Sequence, residues 1–306
     1  RLNKPSYYLI VAILCLLMFP AAVQAQLETF FTKSDAFFKA YVTDGKVKYD
    51  RLANTTALND LVKQVEETSL LSEGEASIKA FYINAYNLLV IKGALSGYPL
   101  GSVQDINSFF DKKDYIVAGA RMSLNQLEKE ILFPNFPDPR LHFVLVCGAL
   151  GCPPITDFAY VPEKLDQQLE QQSRLALNDP SFIRLDAANK EVGLSQIFSW
   201  YPQDFGGSKA NIITYINQYR DTQIPASAGV SYYPYDWSIN DAKTLEESLQ
   251  GNLTNVSQSG PNNSIRYVVS STIPKGTIET KIFNNLYSQV TRSGGELSNR
   301  STFFTT

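Results

Sequence analysis

The stretch LHFVLVCGALGCPP runs from Leu141 to Pro154. Its first seven residues are almost all apolar, and a short apolar run of this length is typical of a strand that is buried on both faces. Gly148 and Gly151 then allow the chain to fold back sharply. We therefore expect a central strand at 141–147, with a sheet around it.

Helical and strand patterns alternate on both sides of this run. Periodicity, caps and breaks predict helices at 28–42, 56–68, 74–96, 124–132, 162–177 and 208–220. A capping-box pattern, Ser123 followed by Gln126, marks the start of the fourth helix. Shorter runs predict strand structure around Gly119, a hairpin at 182–194 and a late aromatic strand at 232–237. The whole pattern predicts an α+β domain at 28–241, with a single sheet and helices packed against it.

The two ends of the chain differ from this domain in composition. Residues 1–25 combine basic residues, an apolar run and a small-residue site, which predicts a secretory signal peptide. Residues 242–264 are rich in Ser, Asn, Gly and Gln, as linkers are. Residues 265–306 alternate as a β-strand extension, which we expect to be incomplete at Thr306.

The extension fits either a soluble β-appendage or the first strands of an outer-membrane barrel. Together with the signal peptide, it predicts an exported protein of the periplasm or cell envelope. Under the second interpretation the protein associates with the outer membrane through this extension.

The composition excludes several classes of site. The 306 residues include 27 Lys and Arg, 30 Asp and Glu and one His, with a net charge of −3 and a pI near 5.4. A single His excludes metal sites built from several histidines, and a mildly acidic chain is unsuited to nucleic acid. We expect no metal and no cofactor, and a small-molecule or peptide ligand as the partner.

The only His and two of the three cysteines lie within eleven residues, from His142 to Cys152. A strand would place His142 and Cys147 on opposite faces, but the loop after Gly148 can bring Cys152 back toward the imidazole. A thiol beside an imidazole has a lowered pKa and becomes nucleophilic. Buried structural cysteines, a disulfide across the loop and a metal site are the alternatives, and the residues do not decide among them.

Four further polar residues, on helices or at a helix end, are candidates for the site. Asn84 and Asn87 lie three apart on an apolar helix, where they would act as structural tethers or as orienting or oxyanion-binding groups. Glu128 follows apolar residues on the capped helix, and is either a solvated charge or part of the site. Asp204, in the segment WYPQDF at 200–205, is expected to cap the helix that follows.

As a set, these residues resemble the domain of unknown function 547 family, in the form of a secreted bacterial member. The motifs are Phe81–Asn87, Leu127-Glu128, His142–Pro154, Trp200–Phe205 and Tyr235-Asp236-Trp237, and the resemblance covers residues 28–241. It implies that Asn84, Asn87, Glu128, His142 and Cys147 belong to the site. Plant relatives tend to have Ser at the position of Cys152, and many relatives have His where Lys129 stands here.

Two classes of function fit these residues. One is a thiol-dependent hydrolase or transferase acting on an amide or thioester, with Cys147 or Cys152 as nucleophile and His142 as base. Glu128 or one of the two Asn side chains would orient the base. The other is a non-catalytic binding or structural module of the envelope, in which the His and Cys side chains are buried packing. Thiol redox chemistry is a third option.

Overall fold

The computed structural model describes residues 26–186, 188, 190–243 and 247, and the backbone of 286–293 and 296–303. The chain divides into two units, with the boundary between Val256 and Ser257. Helices and strands are both present in the first unit, so the predicted α+β class is confirmed.

The described helices of the first unit include one near each of the six predicted positions, together with three short helices. They are α1 (26–41), α2 (Tyr49–Leu52), α3 (Ala57–Glu67), α4 (Glu75–Leu95), α5 (Leu124–Gln126), α6 (Phe133–Asn135), α7 (Leu165–Asn178), α8 (Ile197–Trp200) and α9 (Lys209–Asn217). A π-helix at Leu127–Leu132 joins α5 to α6, and short 3-10 helices lie at Val103–Asp105, Pro139–Phe143, Pro162–Lys164 and Pro202–Phe205. The capping box at Ser123 and Gln126 is present as predicted.

The core of this unit is built around α4. Between Ala80 and Ala94 every residue of α4 is buried except Tyr82 and Lys92, which are half-buried. A helix that is apolar on nearly every side belongs inside a core, because it has no face suited to water. The central element of the fold is therefore a helix, where the sequence predicts a strand.

The apolar stretch at 141–147 is not a strand, and that prediction is wrong. The stretch begins in the 3-10 helix Pro139–Phe143 and continues as irregular chain to Cys147. Buried backbone groups need hydrogen-bond partners, which neighbouring strands would normally supply. Here the Asn87 amide donates to the Val144 carbonyl and accepts from the Val146 N–H, both at 2.9 Å. A buried side-chain amide thus replaces a neighbouring strand.

The strands of the first unit form small separate sheets, which corrects the expected single sheet. They are β1 (Val42–Thr43), β2 (Lys46–Val47), β3 (Tyr115–Val117), β4 (Ala120–Met122), β5 (Ile183–Asp186), β6 (Glu191–Leu194) and β7 (Gly229–Tyr232). The pairs β1–β2, β3–β4 and β5–β6 are antiparallel, whereas β6–β7 is parallel. The predicted hairpin at 182–194 is confirmed, but the predicted strand at 232–237 is wrong, because β7 ends at Tyr232 and residues 233–237 are irregular. Strands this short leave the core to the helices.

In the second unit the described backbone consists of β8 (Leu286–Ser293) and β9 (Glu296–Phe303). They pair antiparallel, from Leu286 opposite Phe303 to Ser293 opposite Glu296. The predicted signal peptide at 1–25 and the part of the predicted β-strand extension before Leu286 lie outside the described residues. None of the described helices is both long enough and apolar enough to cross a membrane.

Candidate functional site

Four of the predicted site residues line one cleft of about 460 Å³ in the first unit: Glu128, His142, Cys147 and Cys152. Aromatic rings form much of its surface, and we call it the aromatic cleft; the rings are Tyr86, Phe110, Phe133, Trp200, Tyr201, Tyr235 and Trp237. A larger hollow of about 920 Å³, lined by parts of α1 and α7, contains none of the predicted site residues.

The two cysteines of the cleft form a disulfide. Cys147 and Cys152 are bonded, with their Cα atoms 6.3 Å apart. Of the alternatives that the sequence leaves open, the loop disulfide is the one that the structure contains. Within the described residues, no hydrogen bond joins the His142 ring to either sulfur. A nucleophilic role for either cysteine therefore requires reduction of this bond first.

The backbone of the disulfide loop is held by a neighbouring segment at 236–240. The Gly151 N–H donates to the Asp236 carbonyl and the Leu150 N–H to the Ser238 carbonyl, both at 2.8 Å. A Cβ atom on Gly151 would lie 2.9 Å from the Asp236 backbone, closer than side chains normally come. Gly151 is therefore required by close backbone approach, and this contact sets the position of Cys152.

The two sulfurs have unequal surroundings. Cys147 is half-buried at the cleft, whereas Cys152 is only 8% exposed. The Cys152 Sγ accepts hydrogen bonds from the Cys147 N–H and from the Tyr235 hydroxyl, each at 3.0 Å. Burial raises the pKa of Tyr235, so its hydroxyl stays protonated and remains a donor at neutral pH. The Tyr235 hydroxyl also lies 3.2 Å from the Cys147 Sγ, so burial and the bond from the Cys147 N–H are what distinguish Cys152 from Cys147.

Glu128 is held by two tyrosines and is not the freely solvated charge that is usual for a helical Glu. One carboxylate oxygen accepts from the Tyr86 hydroxyl at 2.8 Å and the other from the Tyr201 hydroxyl at 3.0 Å. Burial, together with the nearby carboxylate, raises the pKa of both phenols, so both donate at neutral pH. Glu128 lies in the π-helix, an irregularity that is frequent at functional sites. Glu130, two residues on, is exposed.

His142 is buried among rings and is bonded to Asp204. Its Nε2 lies 2.7 Å from the Asp204 carboxylate, and its ring centroid is 4.5 Å from that of Tyr201 and 4.7 Å from that of Phe133. Burial lowers the pKa of His142 and outweighs the opposing effect of Asp204. The expected capping role of Asp204 is wrong, because the side chain of Ser208 caps α9.

The 3-10 helix that carries His142 is anchored by an ion cluster. The Asp138 carboxylate accepts from the Arg140 N–H at 3.0 Å and pairs with Lys79 at 2.7 Å and with the Arg140 guanidinium at 3.0 Å. Burial acts to raise the pKa of Asp138, but these partners outweigh it and lower the pKa to about 2. The cluster thereby fixes the start of the segment that leads to Cys147.

Asn84 and Asn87 lie outside the cleft and act as structural tethers. Asn84 donates to the carbonyls of Ala80 and Tyr160 at 2.8 and 2.7 Å and accepts from the Tyr160 N–H at 3.0 Å. Asn87 binds the backbone of Val144 and Val146, as described above. Neither side chain lines the aromatic cleft. Of the two roles considered for these amides, the geometry matches the tether.

From the sequence, no role is predicted for three tyrosines that complete the site: Tyr86, Tyr201 and Tyr235. Each lies inside a motif that the resemblance contains, and this was the available signal. Their partners are distant in sequence, since Tyr86 and Tyr201 lie 42 and 73 residues from Glu128. Sequence spacing alone cannot bring such groups together.

Residues 71–175 match the family model described as "Protein of unknown function, DUF547". The chain contains a DUF547 domain. The matched segment includes Glu128, His142 and both cysteines of the disulfide, so the core of the aromatic cleft belongs to the DUF547 domain. Tyr201 and Tyr235 line the cleft from beyond the matched residues, and Asp204, the partner of His142, also lies beyond them. Neither the curated proteins nor the solved structures contain a significant match to the chain.

Proposed function

We propose that the aromatic cleft is a thiol–disulfide exchange site. The observation that carries this proposal is the unequal environment of the two sulfurs at an open cleft. Cys147 is the sulfur that an incoming thiol can reach, and Cys152 is the leaving sulfur. Hydrogen-bond donors stabilise a thiolate, and a leaving thiol of lower pKa departs faster. The Cys147 N–H and the Tyr235 hydroxyl would serve Cys152 in this way.

The exchange proceeds in two balanced steps. A substrate thiolate attacks the Cys147 Sγ, the Cys147–Cys152 bond breaks, and its electron pair leaves on Cys152 as a thiolate. A second substrate thiolate then attacks the substrate sulfur of the mixed disulfide, which releases a substrate disulfide and the Cys147 thiolate. Two electrons pass from the substrate thiols to the protein, and a small-molecule disulfide reverses both steps to restore the bond. The export that the signal peptide predicts would supply an oxidising compartment.

The thiol-dependent hydrolase or transferase predicted from the sequence is the second candidate, for the reduced protein. The pairing of His142 with Asp204 favours it, because a third group orients the base in such sites. In the reduced protein Cys147 would be the nucleophile and His142 the base. This candidate predicts hydrolysis of an acyl thioester only after reduction, with loss of activity in His142→Ala.

The test compares the two cysteines one at a time in the full chain with Cys15 replaced by Ala. In Cys152→Ser, Cys147 should form a mixed disulfide with cystamine rapidly. In Cys147→Ser, the buried Cys152 should react with cystamine at a rate at least about tenfold lower. Intact-mass measurement over time reports both rates, and Tyr235→Phe in the disulfide form should slow reduction by dithiothreitol.

A different outcome would reject the exchange site. If the disulfide resists dithiothreitol until the protein unfolds, as followed by circular dichroism, the bond is a structural crosslink. The protein would then be the non-catalytic binding or structural module that the sequence also allows. Equal rates for the two single-cysteine variants would reject the assigned roles of the sulfurs.

A further inference from the structure

Three rings form one wall of the aromatic cleft. The Tyr235 centroid lies 4.9 Å from that of Trp200 and 4.8 Å from that of Trp237, and the two indoles are 6.0 Å apart. Trp200 nevertheless leaves 45% of its surface exposed. Rings that pack together and still face an open cavity are typical of a binding surface.

The same cleft holds a carboxylate that no basic side chain neutralises. Within the described part of the chain, Glu128 forms no ion pair, and its oxygens accept only from the Tyr86 and Tyr201 hydroxyls. Neutral hydroxyls solvate a carboxylate but leave its charge in place. Asp111 and Lys129, both exposed, are the other charged side chains of the lining, so two acids face one base.

We propose that the aromatic cleft binds an organic ammonium group, with the cation held between Glu128 and the ring wall. Cations are attracted to the faces of aromatic rings, most strongly to Trp. The carboxylate adds Coulombic attraction that burial strengthens. A primary amine and a quaternary ammonium share this chemistry, whereas a carboxylate or phosphate ligand would be repelled by Glu128. The inference rests on the proposed function in taking this cleft as the site, but it does not require exchange at the disulfide.

Tryptophan fluorescence reports this cleft directly, because Trp200 and Trp237 are the two Trp residues of the chain. The oxidised full-length protein is titrated with choline, and separately with 3,3-dimethylbutanol, which has the same shape without the charge. Nα-acetyl-lysine amide serves as the primary-amine probe. We expect saturable binding of at least one cation. If choline binds, the neutral alcohol should bind with an affinity at least about tenfold lower than that of choline. Comparison of the two cations identifies which kind of ammonium the cleft prefers.

Two variants on one helical segment separate charge from structure. Glu128→Gln keeps an acceptor for a tyrosine hydroxyl and removes the negative charge, and it should weaken cation binding about tenfold. Glu130→Gln removes an equal charge two residues away, outside the cleft lining, and should bind like the unchanged protein. Circular dichroism verifies that both variants are folded.

Several results would overturn the ammonium site. These are no saturable binding of either cation, equal binding of choline and the neutral alcohol, or a Glu128→Gln variant that binds like Glu130→Gln. Equal binding of the neutral alcohol would identify an apolar-ligand site. Because exchange is read by mass and binding by fluorescence, cation binding without exchange contradicts only the exchange proposal, and exchange without cation binding contradicts only this one.

Discussion

Tyr86 and Asn87 are neighbours on α4, yet their polar atoms have different partners. Asn87 is buried and directs both ends of its amide to the backbone of the 144–146 segment. Tyr86 directs its hydroxyl to Glu128, a charged side chain that lines an open cleft. The hydrogen-bonding groups of Asn87 are satisfied by the backbone of its own fold, whereas Tyr86 and Glu128 face a cleft where a ligand can contact them. Asn87 therefore supports the backbone near the site, whereas Tyr86 is part of the surface that a ligand would contact.

Replacement of Asn87 by Ala should give the largest loss of stability. It leaves the Val144 carbonyl and the Val146 N–H buried without a partner, and we expect a loss of about 2–4 kcal/mol in the free energy of unfolding. Urea denaturation measures the effect, with Asn54→Ala as the exposed control, for which we expect about 0.5 kcal/mol or less. If the two variants lose the same small amount, Asn87 is not a structural tether.

A smaller loss is expected when Gly151 is replaced by Ala. The added Cβ would press on the Asp236 backbone at 2.9 Å, and the loop that carries Cys152 must shift. We expect about 1–3 kcal/mol of destabilisation, which is typical of an added methyl group in a packed place. Gly74→Ala is the matched control, since no atom lies within 4 Å of its added Cβ. If both variants unfold at similar temperatures, the close approach of Gly151 to the Asp236 backbone does not determine the position of the disulfide loop.

The smallest effect should be a dependence of stability on pH through His142. Burial holds its pKa below the ordinary value of 6.5, so between these two values the unfolded chain binds more protons than the folded one. The free energy of unfolding should therefore rise with pH across this window. The contribution of His142 to stability is present above 6.5 and falls as the pH drops below 6.5. Because the chain has one His, His142→Gln should remove this part of the slope. An opposite slope would mean that Asp204 outweighs burial.

Local features of the fold could be predicted from the sequence because their causes lie within a few residues. The periodicity of Ala57–Glu67 and Glu75–Leu95 and the capping box at Ser123 involve groups three or four positions apart. The hairpin at 183–194 also forms between neighbours in sequence. The position of the site was likewise visible, since His142, Cys147 and Cys152 are close along the chain.

The apolar run at 141–147 shows where sequence patterns fail. Its composition suits a buried strand, but burial can be achieved with any backbone geometry whose hydrogen bonds are satisfied. Asn87, 57 and 59 residues away from Val144 and Val146, supplies those bonds here. A pattern read within one segment contains no information about such a distant partner.

The sequence alone therefore determined the longer helices, the capping box at Ser123 and the co-location of the His and Cys residues, because these depend on short-range spacing. Only the tertiary structure decided what those residues face. It closed the disulfide, paired His142 with Asp204 at a separation of 62 residues, and brought Glu128 beneath two tyrosine hydroxyls. These contacts depend on how α4 and the π-helix pack, and packing is a property of the whole chain rather than of any one segment.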